Sequence, residues 1–102
     1  MFKLMKSPTF TTKVTLVVPT DDGQVEQTIT ARFRLVSDEL TQTDPVTFLR
    51  EAVLSLSDIA DDEGNQLAYD SDLLDKMLAL PFARVGLIRA YFQALAGAKL
   101  GN

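Results

Sequence analysis

Fourteen acidic residues, ten basic residues and a complete absence of histidine and cysteine limit the chemistry open to this chain. Without histidine, the commonest general base and the commonest transition-metal ligand are missing. Ser7, Ser37, Ser55, Ser57 and Ser71 therefore have no imidazole to activate them as nucleophiles. Without cysteine there is no thiol nucleophile, thiolate metal site or disulfide framework, which fits a reducing compartment. No G-x-S-x-G, phosphate-loop or dinucleotide-binding glycine pattern occurs. Asp61, Asp62, Glu63 and Asn65 invite a calcium reading, but the spacing fails. A calcium loop opening at Asp61 needs glycine at position 66, which is Gln66, and one centred on Gly64 must open on Ile59, which cannot ligate. This stretch is read as a solvated acidic turn. The chain is expected to be non-enzymatic, with no catalytic residues, no metal and no cofactor.

The residues left with a chemical part to play are those that bind other chains. Pro81 to Ala98, PFARVGLIRAYFQALAGA, is the longest helix-compatible run, with Pro81 suited to a first helical position. Val85, Ile88, Phe92 and Leu95 recur at helical spacing, and Leu87, Tyr91 and Ala94 form a second row beside them. So wide an apolar arc implies burial on more than one side. Val85, Ile88, Phe92 and Leu95 are read as core, and Arg89 and Tyr91 as a rim seen by another chain. Arg84 lies about 140° around the axis from Arg89, so the two arginines cannot share one face. With Arg and aromatic residues enriched at binding hot spots, the candidate partner-binding set is Arg84, Arg89, Tyr91 and Phe92.

These residues need a scaffold, and 102 residues make one domain. The first eleven residues are expected to be a mobile leader or a short strand, 12–98 a single α+β domain, and 99–102 a tail. Thr12 to Pro19 and Gln24 to Val36 read as strands joined at Asp22-Gly23. The second alternates, with Val25, Gln27, Ile29, Ala31, Phe33 and Leu35 on one face. Such a hairpin is only marginally stable until its apolar face is covered. Downstream, Ser37 to Thr43 has room for a helical turn. Asp44-Pro45 then caps a helix carrying Phe48, Leu49, Ala52, Val53 and Leu56, about three turns long. Ile59 and Leu67 flank the acidic turn as a possible short hairpin. Leu73, Leu74, Met77 and Leu78 mark a further helix that breaks at Leu80-Pro81, and Gly97 or Gly101 can end the last one. The predicted fold is an N-terminal antiparallel β-hairpin packed against three C-terminal helices.

The net charge of −4 and pI near 4.6 argue against nucleic acid as the main partner. No stretch has the length of a membrane span or of a signal-peptide core.

Several segments resemble the tail assembly chaperones of long-tailed bacteriophages with flexible, lambda-like tails. They are the strand ending Thr30-Ala-Arg-Phe-Arg34, the helix at Phe48-Leu-Arg-Glu51, the turn Asp62-Glu-Gly-Asn65, and above all Ile88-Arg-Ala-Tyr-Phe-Gln-Ala-Leu95 with Gly97-Ala-Lys99. The likeness runs over roughly residues 12 to 99 as an overall pattern without a catalytic motif. It implies a short product of a gene whose longer product arises by programmed frameshifting. It also implies a protein of the host bacterial cytoplasm, encoded by a phage or prophage. Implied partners are the tape-measure protein, the frameshifted longer form, the tail tube protein and further copies of the chain. The implied activity is to keep the tape-measure protein soluble and deliver it to the growing tail tube, with the chaperone absent from the finished virion. The alternative reading is a minor tail or head–tail connector protein retained in the particle. Leu100-Gly101-Asn102 can be encoded so that the bases run G GGA AAC, a pattern on which a ribosome can slip back.

Overall fold

A computed structural model describes residues 1–97 of the chain. Its elements run β1 (Thr9–Thr20), β2 (Gly23–Arg34), α1 (Asp38–Thr41), α2 (Pro45–Ala52), β3 (Val53–Ser57), α3 (Ser71–Leu78) and α4 (Pro81–Leu95). The three strands form one antiparallel sheet in the order β1-β2-β3, and the helices cover part of one face. The α+β class, with an N-terminal hairpin packed against C-terminal helices, is as predicted. The tail expected over 99–102, the helix end at Ala98 and a stop at Gly101 lie outside the described residues.

The hairpin forms because its alternation is sustained and its partners match. Val14 faces Ile29 and Phe10 faces Phe33 across the ladder, and Val14, Leu16, Ile29, Ala31 and Phe33 are all buried. The opposite face is wet. Lys13 Nζ donates to Thr30 Oγ1 at 3.2 Å, Thr30 Oγ1 donates to Asp58 Oδ2 at 2.6 Å, and Arg34 Nε donates to the Glu51 carbonyl at 2.8 Å. β1 begins at Thr9, three residues earlier than expected, and Pro8 extends the pairing by accepting from the Leu35 N–H at 2.9 Å. The connection differs in detail from the expected Asp22-Gly23 turn. Asp21 and Asp22 are its two central residues, and the positive φ falls on Gly23 (125°), which opens β2.

The main departure is β3. Val53 and Leu56 fit helical spacing behind Phe48 and Ala52, so the sequence predicts one continuous helix. Instead Val53 turns extended (φ −81°, ψ 120°) and ends α2, and the chain runs back along β2 from Phe33↔Val53 to Thr30↔Ser57. The outer edge of β2 would otherwise present unpaired N–H and C=O groups. A ladder partner satisfies them, and a helix over the same residues cannot. The register shifts between Arg32 and Phe33, which lets both Val53 and Leu56 reach the core.

The remaining local signals act as read. Asp44 accepts from the Thr47 N–H (3.0 Å) and Asp70 from the Leu73 N–H (2.8 Å), capping α2 and α3. Leu73, Leu74, Met77 and Leu78 are buried. Leu80 is extended ahead of Pro81 (φ −97°, ψ 117°), which breaks α3 from α4. The Leu67 N–H donates to the Ile59 carbonyl at 2.8 Å, closing the short hairpin around the acidic turn.

Candidate functional site

α4 is apolar around most of its circumference, so burial and not polarity distinguishes its faces. The buried row is Ala83, Gly86, Leu87, Ala90 and Tyr91. This overturns the reading of Val85, Phe92 and Leu95 as core, since Val85 is 53% exposed, Phe92 44% and Leu95 46%, whereas Ile88 is half-buried and packs against the core as read. The reason is close approach. A Cβ added at Gly86 would lie 2.8 Å from the Thr15 carbonyl oxygen and 2.8 Å from Leu16 Cδ2, so the helix axis sits against β1 at a distance only a glycine permits. Ala83 and Ala90, one turn to each side, keep that approach open, whereas the larger side chains of the other row would hold the helix away.

Tyr91, expected at a partner-facing rim, is fully buried. Its ring meets Phe48 edge-on at 4.9 Å and Phe33 edge-on at 5.5 Å, with Phe10 also at 5.5 Å. Its hydroxyl accepts from the Val36 N–H at 3.1 Å, so the polar end is satisfied inside the fold. Tyr91 is therefore the centre of the core, not a contact for another chain. Arg84 is also structural. It lies half-buried, and Nη1 donates to the Leu78 carbonyl at 2.7 Å, tying the last turn of α3 to α4.

Arg89 and Phe92 are the members of the candidate set that face outwards. Val85, Ile88, Arg89, Phe92 and Leu95 fall within an arc of about 120° opposite the buried row. The Phe92 ring leans on Phe48 (5.8 Å) and Tyr91 (5.2 Å), so it is held in place from beneath while its outer half is bare. Arg89 has no ion-pair partner among the described residues. It borders a shallow depression of about 260 Å³ with Val85, Phe82 and the wet-face residues Thr15, Val17 and Gln24. The result is an apolar helical stripe carrying one unpaired guanidinium, which suits association with another chain.

A second surface escaped the sequence reading. β1 and β2 are each twelve residues long, about 40 Å, whereas the fifteen residues of α4 span about 22 Å. The helices therefore cannot cover the whole apolar face of the hairpin. Val25 is exposed and Val18 only partly covered, although both continue the core-facing alternation. Val18 borders a groove of about 500 Å³ together with Ile59, Leu80, Phe82, Asp58 and Asp61. Comparing strand length with helix length would have exposed it, because an apolar alternation longer than its cover must end bare.

The acidic turn is self-contained. Asp61 Oδ1 accepts from the Glu63 and Asn65 N–H groups, both at 2.9 Å. The Asn65 bond, first among these, holds the Asp61 carboxyl below the usual carboxylate range. Among the described residues no group of three or more acidic side chains is placed to hold a metal ion. No helix there is long and apolar enough to cross a membrane. No family model matches the chain, and neither a curated protein nor a solved structure matches it.

Proposed function

We propose that this chain is a non-enzymatic tail assembly chaperone that holds the tape-measure protein of a flexible-tailed phage and hands it to the tail tube protein. The observation that carries this reading is the outer face of α4. Val85, Phe92 and Leu95 present large apolar side chains to solvent on a helix whose opposite face is locked into the core. That geometry suits an amphipathic helical segment laid against α4, the mode by which helical partners commonly dock. A long helical protein that aggregates alone offers many such segments. The sequence likeness over residues 12 to 99 supports the same assignment. Further partners on this reading are other copies of the chain and a frameshifted longer form, working in the host bacterial cytoplasm.

Co-expression with the tape-measure protein encoded nearby tests it. The chaperone should raise the soluble yield of that protein and co-purify with it, and mass spectrometry of finished particles should find the chain missing. An unchanged soluble yield, or stoichiometric retention in the particle, would overturn the assignment.

A further inference from the structure

α4 carries two arginines and no acidic residue, on a chain whose net charge is −4. Its outward apolar positions follow a stricter rule than general amphipathicity. Val85, Ile88, Phe92 and Leu95 are spaced three, four and three residues apart, which makes them the a and d positions of two consecutive heptads. Val85, Phe92 and Leu95 are exposed and Ile88 is half-buried, so this seam runs along the outside of the domain. Arg89 then stands at an e position and Arg84 at a g position, one on each side of the seam. Arg84 is held by the Leu78 carbonyl at 2.7 Å, a neutral acceptor that leaves its charge uncompensated. Neither arginine has a carboxylate partner among the described residues.

Two copies of α4 cannot use this seam on each other without setting arginine against arginine. In a parallel pair each g position faces the e position five residues on, so Arg84 meets Arg89 of the second copy. In an antiparallel pair Val85 layers with Leu95 and Ile88 with Phe92, which brings the two Arg89 side chains together near the centre. Like charges in these places disfavour both arrangements. The same places favour a helix that brings carboxylates to them.

We infer that the outer face of α4 takes a helix of another protein that has its own apolar heptad seam and Asp or Glu at the flanking e and g positions. Arg89 is the residue that selects for those carboxylates, because it is exposed and free to pair. The seam supplies the contact area, and the arginines decide which helix fits it. This inference rests on the proposed reading of the outer face of α4 as the surface that holds a helical partner, and adds the charge pattern which that partner carries.

Two synthetic peptides test it. Each has three heptads with Leu at a and d, and they differ in carrying Glu or Lys at every e and g position. Each repels its own copies through those charges, which leaves it free to bind α4. Fluorescence anisotropy with the full chain should show the glutamate peptide bound at least about fivefold more tightly than the lysine peptide at low salt, with the difference shrinking as salt is added. Arg89→Glu should reverse the preference. Equal affinity for the two peptides, failure of the glutamate peptide to bind, or a preference unchanged in Arg89→Glu would overturn the inference. Co-expression separates this outcome from the proposed function. A parent that keeps the tape-measure protein soluble yet does not discriminate between the peptides overturns the inference alone, and one that discriminates yet leaves that protein insoluble overturns the function alone.

Discussion

The two faces of α4 are both apolar, yet they do opposite work. The inner face is built from Ala83, Gly86, Leu87, Ala90 and Tyr91, small residues around two large ones. It allows the helix to settle against β1 and drives one aromatic ring into the core. The outer face, Val85, Phe92 and Leu95 beside Arg89, consists of larger side chains left bare. Hydrophobicity alone does not separate the two. What separates them is side-chain size at the point of contact, because a helix lies closest to a sheet along the row with the least bulk.

Deleting the Tyr91 side chain should cost the most. Tyr91→Ala empties the centre of the aromatic cluster and leaves the Val36 N–H without its acceptor, and large-to-small core changes of this kind cost about 3–5 kcal/mol. In a domain this size each kcal/mol lowers the midpoint by about 4–8 °C, so thermal denaturation should show a collapse or an unfolded chain. A loss confined to partner binding would return Tyr91 to the rim.

Next in size is Gly86→Ala. Alanine favours a helix by up to about 1 kcal/mol over glycine. Against that stands the contact with the Thr15 carbonyl, which is backbone and cannot swing aside, and overpacking costs about 1–3 kcal/mol. A net destabilisation of about 1 kcal/mol is expected from chemical denaturation. A more stable variant would mean that α4 can move off β1 cheaply.

The helix beneath the outer face titrates. Asp44 caps α2, which carries Phe48 under both Tyr91 and Phe92, and its bond from the Thr47 backbone N–H holds its carboxyl below the ordinary range. A lowered folded-state value means that the stabilisation is fully present above the unfolded value of about 3.9 and is lost as pH falls through the folded one. Asp44→Asn keeps a good capping group and removes this titration. The variant should therefore lose less melting temperature than the parent between neutral pH and about pH 3, with Asp61 supplying part of the remaining acid sensitivity. Equal losses would show the Asp44 cap to be unimportant in acid.

Much of this arrangement is legible in the residues. Alternation at Val14, Leu16, Ile29, Ala31 and Phe33 marks the hairpin and its inner face. Asp44-Pro45, Asp70 and Leu80-Pro81 mark three helix boundaries. β3 was hidden because Val53 and Leu56 satisfy helical spacing, and the unpaired edge of β2 that recruits them is a long-range fact. The buried face of α4 was hidden for a related reason. Period arguments weigh large apolar residues, while the row chosen by the sheet is defined by Gly86 and its flanking alanines. Of the candidate partner-binding residues, Arg89 and Phe92 face outwards, whereas Arg84 and Tyr91 are held by contacts that no local pattern announces.

The division between a folding face and a binding face is most directly tested by combining Val85→Ser, Arg89→Glu and Leu95→Ser, and measuring melting temperature and tape-measure co-purification on the same preparation. Surface changes of this kind alter stability by about 0.5 kcal/mol or less each. The melting temperature should fall by no more than about 10 °C, well short of the Tyr91→Ala loss, while co-purification is lost. A variant that melts far lower, or that still holds the tape-measure protein as well as the parent, would contradict the assignment of the outer face of α4 to a partner.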